Sequence, residues 1–94
     1  MKELEIFYLT SCPYCINARK AIDELTAENP AYAGLSLRWI NEQKERTLAE
    51  ERDYYYVPTF YFNGEKLYEC SPQDGYETIK AAVKNVFDTV LARA

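Results

Sequence analysis

Apolar side chains follow two different spacings in the first 28 residues of the chain. Residues 3–9, ELEIFYL, carry bulky side chains at consecutive positions, which predicts a β-strand covered on both faces inside an α/β sheet. From Pro13 to Glu28 the apolar residues instead recur at helical spacing, at Tyr14, Ala18, Ala21, Ile22 and Leu25. This segment is predicted to be a helix, because Pro13 suits the first helical position and Asn29-Pro30 ends the pattern.

The middle of the chain predicts a second strand and a short helix. The strand is LSLRWI, residues 35–40, and Asn41 after it is predicted to cap a helix over residues 42–52. Leu48 and Ala49 are predicted to face inward. The helix has few other apolar anchors, because the rest of EQKERTLAEER is almost entirely polar or charged.

The second half predicts a hairpin and a final helix. PTFYF and EKLYEC, residues 58–62 and 65–70, predict two strands. Asn63-Gly64 between them suits a tight hairpin turn, because both residues tolerate a positive φ. The segment Ser71–Asp74 is predicted to open the last helix, with the serine as cap, the proline in the first turn and the aspartate against the helix dipole. Helical spacing then continues through Tyr76, Ile79, Val83, Val86, Phe87 and Val90.

The predicted element order is β-α-β-α-β-β-α. The first β-α-β unit should be a right-handed crossover between parallel strands, and the closing hairpin must be antiparallel. The fold class is therefore α/β, with a four-stranded mixed sheet and helices on both faces. A length of 94 residues, 48% of them hydrophobic, is enough for one domain, residues 1–94, with one modest core.

The net charge and the first residues of the chain restrict the classes of partner and the compartment that we expect. The net charge is −4, and the 11 basic residues are scattered rather than clustered, which argues against nucleic acid or an anionic membrane as a partner. The first residues, MKELEIFYLTSC, have neither a signal-peptide pattern nor an apolar run long enough to span a bilayer. We therefore expect a monomer in the cytoplasm, a thiol-reducing compartment, with a secreted chain trimmed of its signal as the alternative.

The cysteine content bears on the chemistry. The chain has three cysteines and no histidine, whereas structural zinc usually takes four Cys or His ligands. A metal site is therefore not expected, and a structural disulfide between Cys12 and Cys15 would close only a tiny loop. The pair is interpreted as redox-active, and the alternative is two cysteines that only pack in the core. Cys70 could form a regulatory disulfide, but packing is the favoured interpretation.

Cys12 and Cys15 occupy different positions in the predicted frame. Cys12 ends the loop after the first strand, where unpaired helix amides and about half a positive charge from the helix dipole favour the thiolate. Cys15 lies one turn later and should be less exposed. Cys12 can therefore attack a substrate disulfide, and Cys15 can then attack Cys12 to release the reduced substrate.

The segments Cys12-Pro13-Tyr14-Cys15 and Val57-Pro58-Thr59 together resemble the glutaredoxin branch of the thioredoxin superfamily, and the similarity covers roughly residues 3 to 92. The CPYC tetrapeptide is typical of dithiol glutaredoxins. The resemblance implies a thioredoxin-like fold and a thiol–disulfide oxidoreductase with a redox-active Cys12–Cys15 disulfide. It also implies a cis Val57-Pro58 bond and a Val57 backbone offered to substrate; an ordinary trans proline is the alternative.

Further substrate contacts are expected at Tyr14, between the cysteines, and at Ser71, where the last helix should begin. The tyrosines of residues 54–56 precede the proline loop, and one of them could border the site. Packing is the favoured interpretation for these three tyrosines.

Three features of the glutathione-binding pattern of the resembled family are absent. Leu9 replaces a lysine, Tyr68 and Glu69 replace a Gly-Gly pair, and Pro72 follows Ser71 where an acidic residue is usual. Leu9 offers glutathione no countercharge, and Glu69 is expected to repel it. No tightly bound cofactor is expected, and glutathione remains a possible co-substrate.

Four functions follow as hypotheses. The leading one is reduction of protein disulfides or glutathione mixed disulfides through a Cys12/Cys15 dithiol exchange. The second is a thioredoxin-like protein reduced by a flavin-dependent thioredoxin reductase. The third is an iron–sulfur cluster carrier, in which two chains hold the cluster through Cys12 and glutathione. The fourth is a catalytically idle interaction module, against which the intact cysteine pair argues.

Overall fold

A four-stranded mixed sheet organises the chain in the computed structural model, which describes residues 3–93. The ends of the predicted domain, residues 1–2 and 94, lie outside the described residues. The elements, in chain order, are β1 (Leu4–Tyr8), α1 (Pro13–Glu28), α2 (Pro30–Ala33), β2 (Leu37–Asn41), α3 (Arg46–Glu50), β3 (Thr59–Phe62), β4 (Glu65–Glu69) and α4 (Tyr76–Arg93).

The strands lie in the order β2-β1-β3-β4. β1 pairs parallel with β2, as a β-α-β crossover requires, and β3 pairs antiparallel with both β1 and β4. The predicted mixed sheet is therefore confirmed. In the β1–β3 register Phe7 lies opposite Thr59. The end of β1 and the beginning of β3 consequently lie side by side at one end of the sheet. The loop that carries Cys12 therefore lies near the loop that carries Pro58.

Alternation along the strands divides the core between the two faces of the sheet. Leu4 and Ile6 of β1 point to one face, where α1 and α4 cover them, and Phe7 points to the other. On that second face Leu48 and Ala49 of α3 pack against a small cluster around Phe7. Helices therefore cover both faces, as predicted, and the inward orientation predicted for Leu48 and Ala49 is confirmed.

The helix predicted over residues 42–52 is shorter in the structure. α3 spans only Arg46–Glu50, and Asn41 ends β2 instead of capping a helix. The Asn41 side chain accepts a hydrogen bond from the amide of Gln43 at 2.9 Å, which holds the chain in a turn before α3. The predicted cap was therefore wrong, because the asparagine side chain stabilises the turn first and the charged segment offers little apolar surface to extend the helix.

The short helix α2 was not predicted. The Asn29 side chain accepts a hydrogen bond from the Ala31 amide at 3.0 Å, and Pro30 occupies the first turn. Asn29-Pro30 ends α1, as expected, and the same two residues start the next helix.

The segment Ser71–Asp74 forms a turn, so its predicted role as the start of the last helix was wrong. The Asp74 amide donates to the Ser71 carbonyl at 2.9 Å, and the Asp74 carboxylate accepts from the Ser71 amide at 3.0 Å. These two bonds close the turn on itself, before the first helical residue. α4 begins only at Tyr76.

The hairpin between β3 and β4 forms as predicted. Asn63 has φ 54° and Gly64 has φ 84°, which is the positive-φ backbone that a tight turn requires and that these two residues tolerate best. The four helices formed within residues 3–93 include none with the length and apolar character needed to cross a membrane.

We predict that Phe87→Ala destabilises the fold strongly. Phe87 of α4 is fully buried and packs against Tyr32 of α2, with ring centroids 5.3 Å apart. Removing a buried aromatic ring costs about 3–5 kcal/mol of unfolding free energy, to be measured by urea denaturation. The exposed Asn85→Ala on the same helix is the control. A loss for Phe87→Ala no larger than that of the control would contradict this account of the core.

Candidate active site

Cys12 lies where β1 gives way to α1. It directly precedes Pro13, the first residue of α1, and its carbonyl accepts a hydrogen bond from the Ile16 amide at 3.0 Å. Its side chain is half-buried, and the thiol donates to the Val57 carbonyl over a sulfur–oxygen distance of 3.7 Å. Within the described residues, no backbone amide in the first turn of α1 donates a hydrogen bond to the Cys12 sulfur. The position predicted for Cys12 is therefore confirmed, whereas the predicted sulfur–amide contact is not made by the thiol.

Cys15 differs from Cys12 in its burial. It is a free thiol inside α1 with only 4% of its surface exposed. Burial raises the pKa of the Cys15 thiol to about 12; the Leu9 backbone opposes this shift, and the adjacent Cys12 thiol adds to it. The predicted asymmetry in exposure is confirmed, and Cys15 is held as a neutral thiol around neutral pH.

The proline loop meets the cysteines as the resemblance implied. The Val57-Pro58 bond is cis. Pro58 is fully buried, and its carbonyl accepts a hydrogen bond from the Cys70 amide at 3.0 Å, which ties the loop to the end of β4. The structure therefore brings Cys12, Val57 and Pro58 together from segments that are far apart in sequence.

The three tyrosines before Val57 have different environments. The Tyr54 ring packs against Phe7 at 5.2 Å between centroids, and its hydroxyl donates to Glu42 at 2.7 Å. Tyr55 and Tyr56 are instead 88% and 51% exposed. The packing interpretation is therefore confirmed for Tyr54 and wrong for the other two.

Glu69 holds the backbone of these tyrosines in place. One carboxylate oxygen accepts hydrogen bonds from the Tyr55 amide at 2.6 Å and the Tyr56 amide at 2.8 Å, and the other oxygen lies 2.8 Å from Lys66 Nζ. Although burial raises the pKa of the Glu69 carboxyl, the bonds from Lys66 and the two amides hold that pKa below its ordinary value. The carboxylate predicted to repel glutathione is thus paired with Lys66 and saturated with donors.

Tyr14 and Ser71 lie on two segments that contact each other beside the cysteines. The Tyr14 hydroxyl donates to the Pro72 carbonyl at 2.5 Å. This bond links the first turn of α1 to the Ser71–Asp74 turn. Tyr14 also packs against the larger core cluster, and Ser71 is half-buried. Both residues are therefore held in place independently of any substrate.

Cys70 is a buried packing residue. It is 1% exposed and belongs to the core cluster under α1 and α4. Burial raises the pKa of its thiol to about 11, so it is a weak nucleophile near neutral pH. Within residues 3–93 no three Cys, His, Asp or Glu side chains are grouped so as to hold a metal ion.

Arg19 and Lys66 have partners that the sequence analysis missed. Arg19 is one of the scattered basic residues, and its guanidinium lies 3.9 Å from the Trp39 ring centroid, beside a groove of about 420 Å³ that Cys15 also borders. Lys66 and Glu69 stand three residues apart on β4, where a bulge shifts the register. The opposite charges could have suggested that ion pair, whereas the tyrosine amides could not be foreseen.

Comparison with known proteins identifies the fold. No protein-family model matches the chain, and no curated protein matches its sequence. The solved structure of the germline-specific thioredoxin protein Deadhead (Thioredoxin-1) from Drosophila melanogaster superposes with a TM-score of 0.66 at 20% identity, over 94% of this chain and 79% of that chain. A structure described as a malarial protein gives 0.60 at 17% identity, over 90% and 96%. These likenesses show a thioredoxin-like fold.

We predict that Glu69→Ala releases the Tyr55 and Tyr56 amides. Removing the charged acceptor of two exposed hydrogen bonds costs about 1 kcal/mol of unfolding free energy, and hydrogen exchange of these two amides should accelerate. Glu65→Ala is the matched control, because Glu65 is an exposed glutamate on the same strand that pairs with Arg93. Unchanged exchange in Glu69→Ala would show that the carboxylate does not hold the loop.

We also predict that iodoacetamide modifies Cys12 first at neutral pH. Burial shields Cys15 and Cys70 and raises the pKa of both thiols, whereas Cys12 is half-buried at the surface. Peptide mapping by mass spectrometry after brief exposure should find the label on Cys12, and denatured protein should react at all three positions. Faster labelling of Cys15 or Cys70 in the folded protein would contradict the geometry.

Proposed function

We propose that this protein is a glutaredoxin-like thiol–disulfide oxidoreductase that reduces protein disulfides or glutathione mixed disulfides through Cys12 and Cys15. One observation carries the proposal. A half-buried thiol at the start of a helix faces the carbonyl before a cis-proline, and a second, buried thiol lies one turn further along the same helix. The thioredoxin-like fold supports the proposal at the level of architecture.

The reaction transfers two electrons from the dithiol to the substrate. Cys12 loses its proton and its sulfur attacks one sulfur of the substrate disulfide, so that a mixed disulfide forms and the other substrate sulfur leaves as a thiolate, which takes up a proton. Cys15 then loses its proton and attacks Cys12 Sγ. The second substrate sulfur leaves and is protonated, and the protein is left with a Cys12–Cys15 disulfide.

The order of the two steps follows from what raises the pKa of Cys15. Burial is the largest cause of the raised pKa, the Leu9 backbone opposes it, and the neighbouring Cys12 thiol adds to it. Once Cys12 has become a mixed disulfide, it is no longer an ionisable thiol, and that contribution is removed. Cys15 is therefore easier to ionise after the first step than before it, which favours attack on the mixed disulfide.

Substrate contacts are proposed for the residues that border the two sulfurs. The Val57 backbone, held beside Cys12 by the cis-Pro58 loop, would pair with an extended substrate segment. Tyr14 and Ser71, linked through the Ser71–Asp74 turn, would contact the substrate from the side of α1.

The charges near Cys12 bear on the choice of electron donor. Glutathione is an anion, and Leu9 provides no positive charge where the resembled family has a lysine. Glu69 adds little repulsion, since Lys66 and two amides neutralise its charge locally. We therefore propose weak use of glutathione, with a flavin-dependent thioredoxin reductase as the alternative donor.

We predict that Cys12→Ser reduces disulfide reductase activity to the uncatalysed background, because the attacking sulfur is gone. Cys15→Ser should stop after the first step and accumulate a mixed disulfide with the substrate, visible by mass spectrometry without reductant. Cys70→Ala should retain activity, since Cys70 is a packing residue. The assays are reduction of hydroxyethyl disulfide with glutathione, and of insulin with a thioredoxin reductase and NADPH.

Two results would contradict parts of this proposal. Full activity of Cys12→Ser would remove the nucleophile assignment. High turnover with glutathione and none with the reductase would overturn weak glutathione use, while leaving the cysteine chemistry in place.

A further inference from the structure

We infer that the exposed rings of Tyr55 and Tyr56 form a docking rim for protein disulfides in which a bulky apolar side chain flanks the attacked cysteine. The inference rests on the proposed function and names the substrate class of the same site. It concerns which disulfides Cys12 attacks fastest, and it leaves the chemistry of the attack unchanged.

The large hydrophobic side chains that are exposed belong to the two segments that carry the site, α1 and the loop before the cis-proline. Among residues 3–93 the large hydrophobic side chains that are exposed are Ile16, Tyr55 and Tyr56, at 58%, 88% and 51%. Ile16 lies one helical turn after Cys12, and Tyr56 directly precedes Val57. Aromatic rings with a polar end are common at protein interfaces, because they offer apolar contact and tolerate water when unbound.

The rim is built on a backbone that is already fixed. Glu69 binds the amides of Tyr55 and Tyr56. The Tyr56 carbonyl accepts a hydrogen bond from the Thr59 hydroxyl at 2.5 Å, and the Asp53 carbonyl accepts one from the Tyr61 hydroxyl at 2.7 Å. A loop held at these points loses little conformational freedom when a partner binds, so ring contacts translate efficiently into affinity.

The distance from the reacting sulfur fits a flanking side chain. The Val57 carbonyl is 3.7 Å from Cys12 Sγ, and an extended chain advances about 3.3 Å per residue. A substrate segment that runs along the proline loop with its cysteine at Cys12 would therefore place the side chains of the next few residues against Tyr56 and then Tyr55.

The same features select against glutathione. Its cysteine is flanked by a glycine and by a γ-linked glutamate, so it has no apolar side chain to place on the rings. The segment leading to the rim also carries Glu50, Glu51 and Asp53, which do not favour an anionic ligand. The rim thus favours a protein disulfide over the small anionic one.

The test uses two matched fluorogenic peptides, each joined through its cysteine to a quencher thiol as a mixed disulfide. In one peptide leucine and phenylalanine flank the cysteine, and in the other glycines do. Single-turnover reduction by the pre-reduced wild type should be about tenfold faster for the Leu/Phe peptide. The variant Y55S/Y56S should lose most of that preference, whereas Y55F/Y56F, which keeps the rings, should retain it.

The outcomes separate the rim from the underlying function. If the wild type reduces neither peptide, or Cys12→Ser reduces them equally well, the proposed function itself fails. If the wild type reduces both peptides at equal rates, or Y55S/Y56S keeps the preference, the rim inference fails and the chemistry stands. A wild-type protein that sediments as a dimer and becomes monomeric in Y55S/Y56S would assign the rim to a second copy of the chain and overturn the inference.

Discussion

The antiparallel register between β1 and β3 is the constraint on which the candidate site depends. Because Phe7 pairs with Thr59, the residues that follow β1 and those that precede β3 emerge at the same end of the sheet. Cys12 and Val57 are 45 residues apart in sequence, yet the thiol of one contacts the carbonyl of the other. A shift of β3 by one residue would turn Tyr61 to the opposite face, away from Phe7. The two hydrophobic clusters on opposite faces therefore lock the register, and with it the position of the site.

Burial then distinguishes two cysteines that look alike in the sequence. Cys12 directly precedes one helix and Cys15 lies in its first turn, but Cys15 is buried whereas the Cys12 thiol contacts the proline loop. Desolvation penalises the charged form, so the pKa of Cys15 rises to about 12. The helix thus sets the spacing between the two thiols, and burial makes them differ in exposure. The proposed order of attack requires both.

Features set by local chemistry were predictable from the sequence, and features set by competing side chains were not. The Asn63-Gly64 turn and the start of α1 at Pro13 depend on backbone preferences of the residues themselves, and both were found as predicted. The segment Ser71–Asp74 has the composition of a helix start, but its aspartate bonds back to the Ser71 amide and closes a turn. Which partner such a carboxylate takes depends on geometry that composition does not contain.

Glu69 shows most clearly how a partner changes the meaning of a charge. In the sequence it is an acidic residue where a substrate anion would lie, which implies repulsion. In the fold its two oxygens are occupied by Lys66 and by two consecutive amides, so it contributes little net field and instead fixes the tyrosine loop. Weak glutathione use would then arise from missing attraction at Leu9 rather than from repulsion at Glu69. Since a protein substrate does not depend on that attraction, the same residue that disfavours glutathione leaves the route to larger disulfides open.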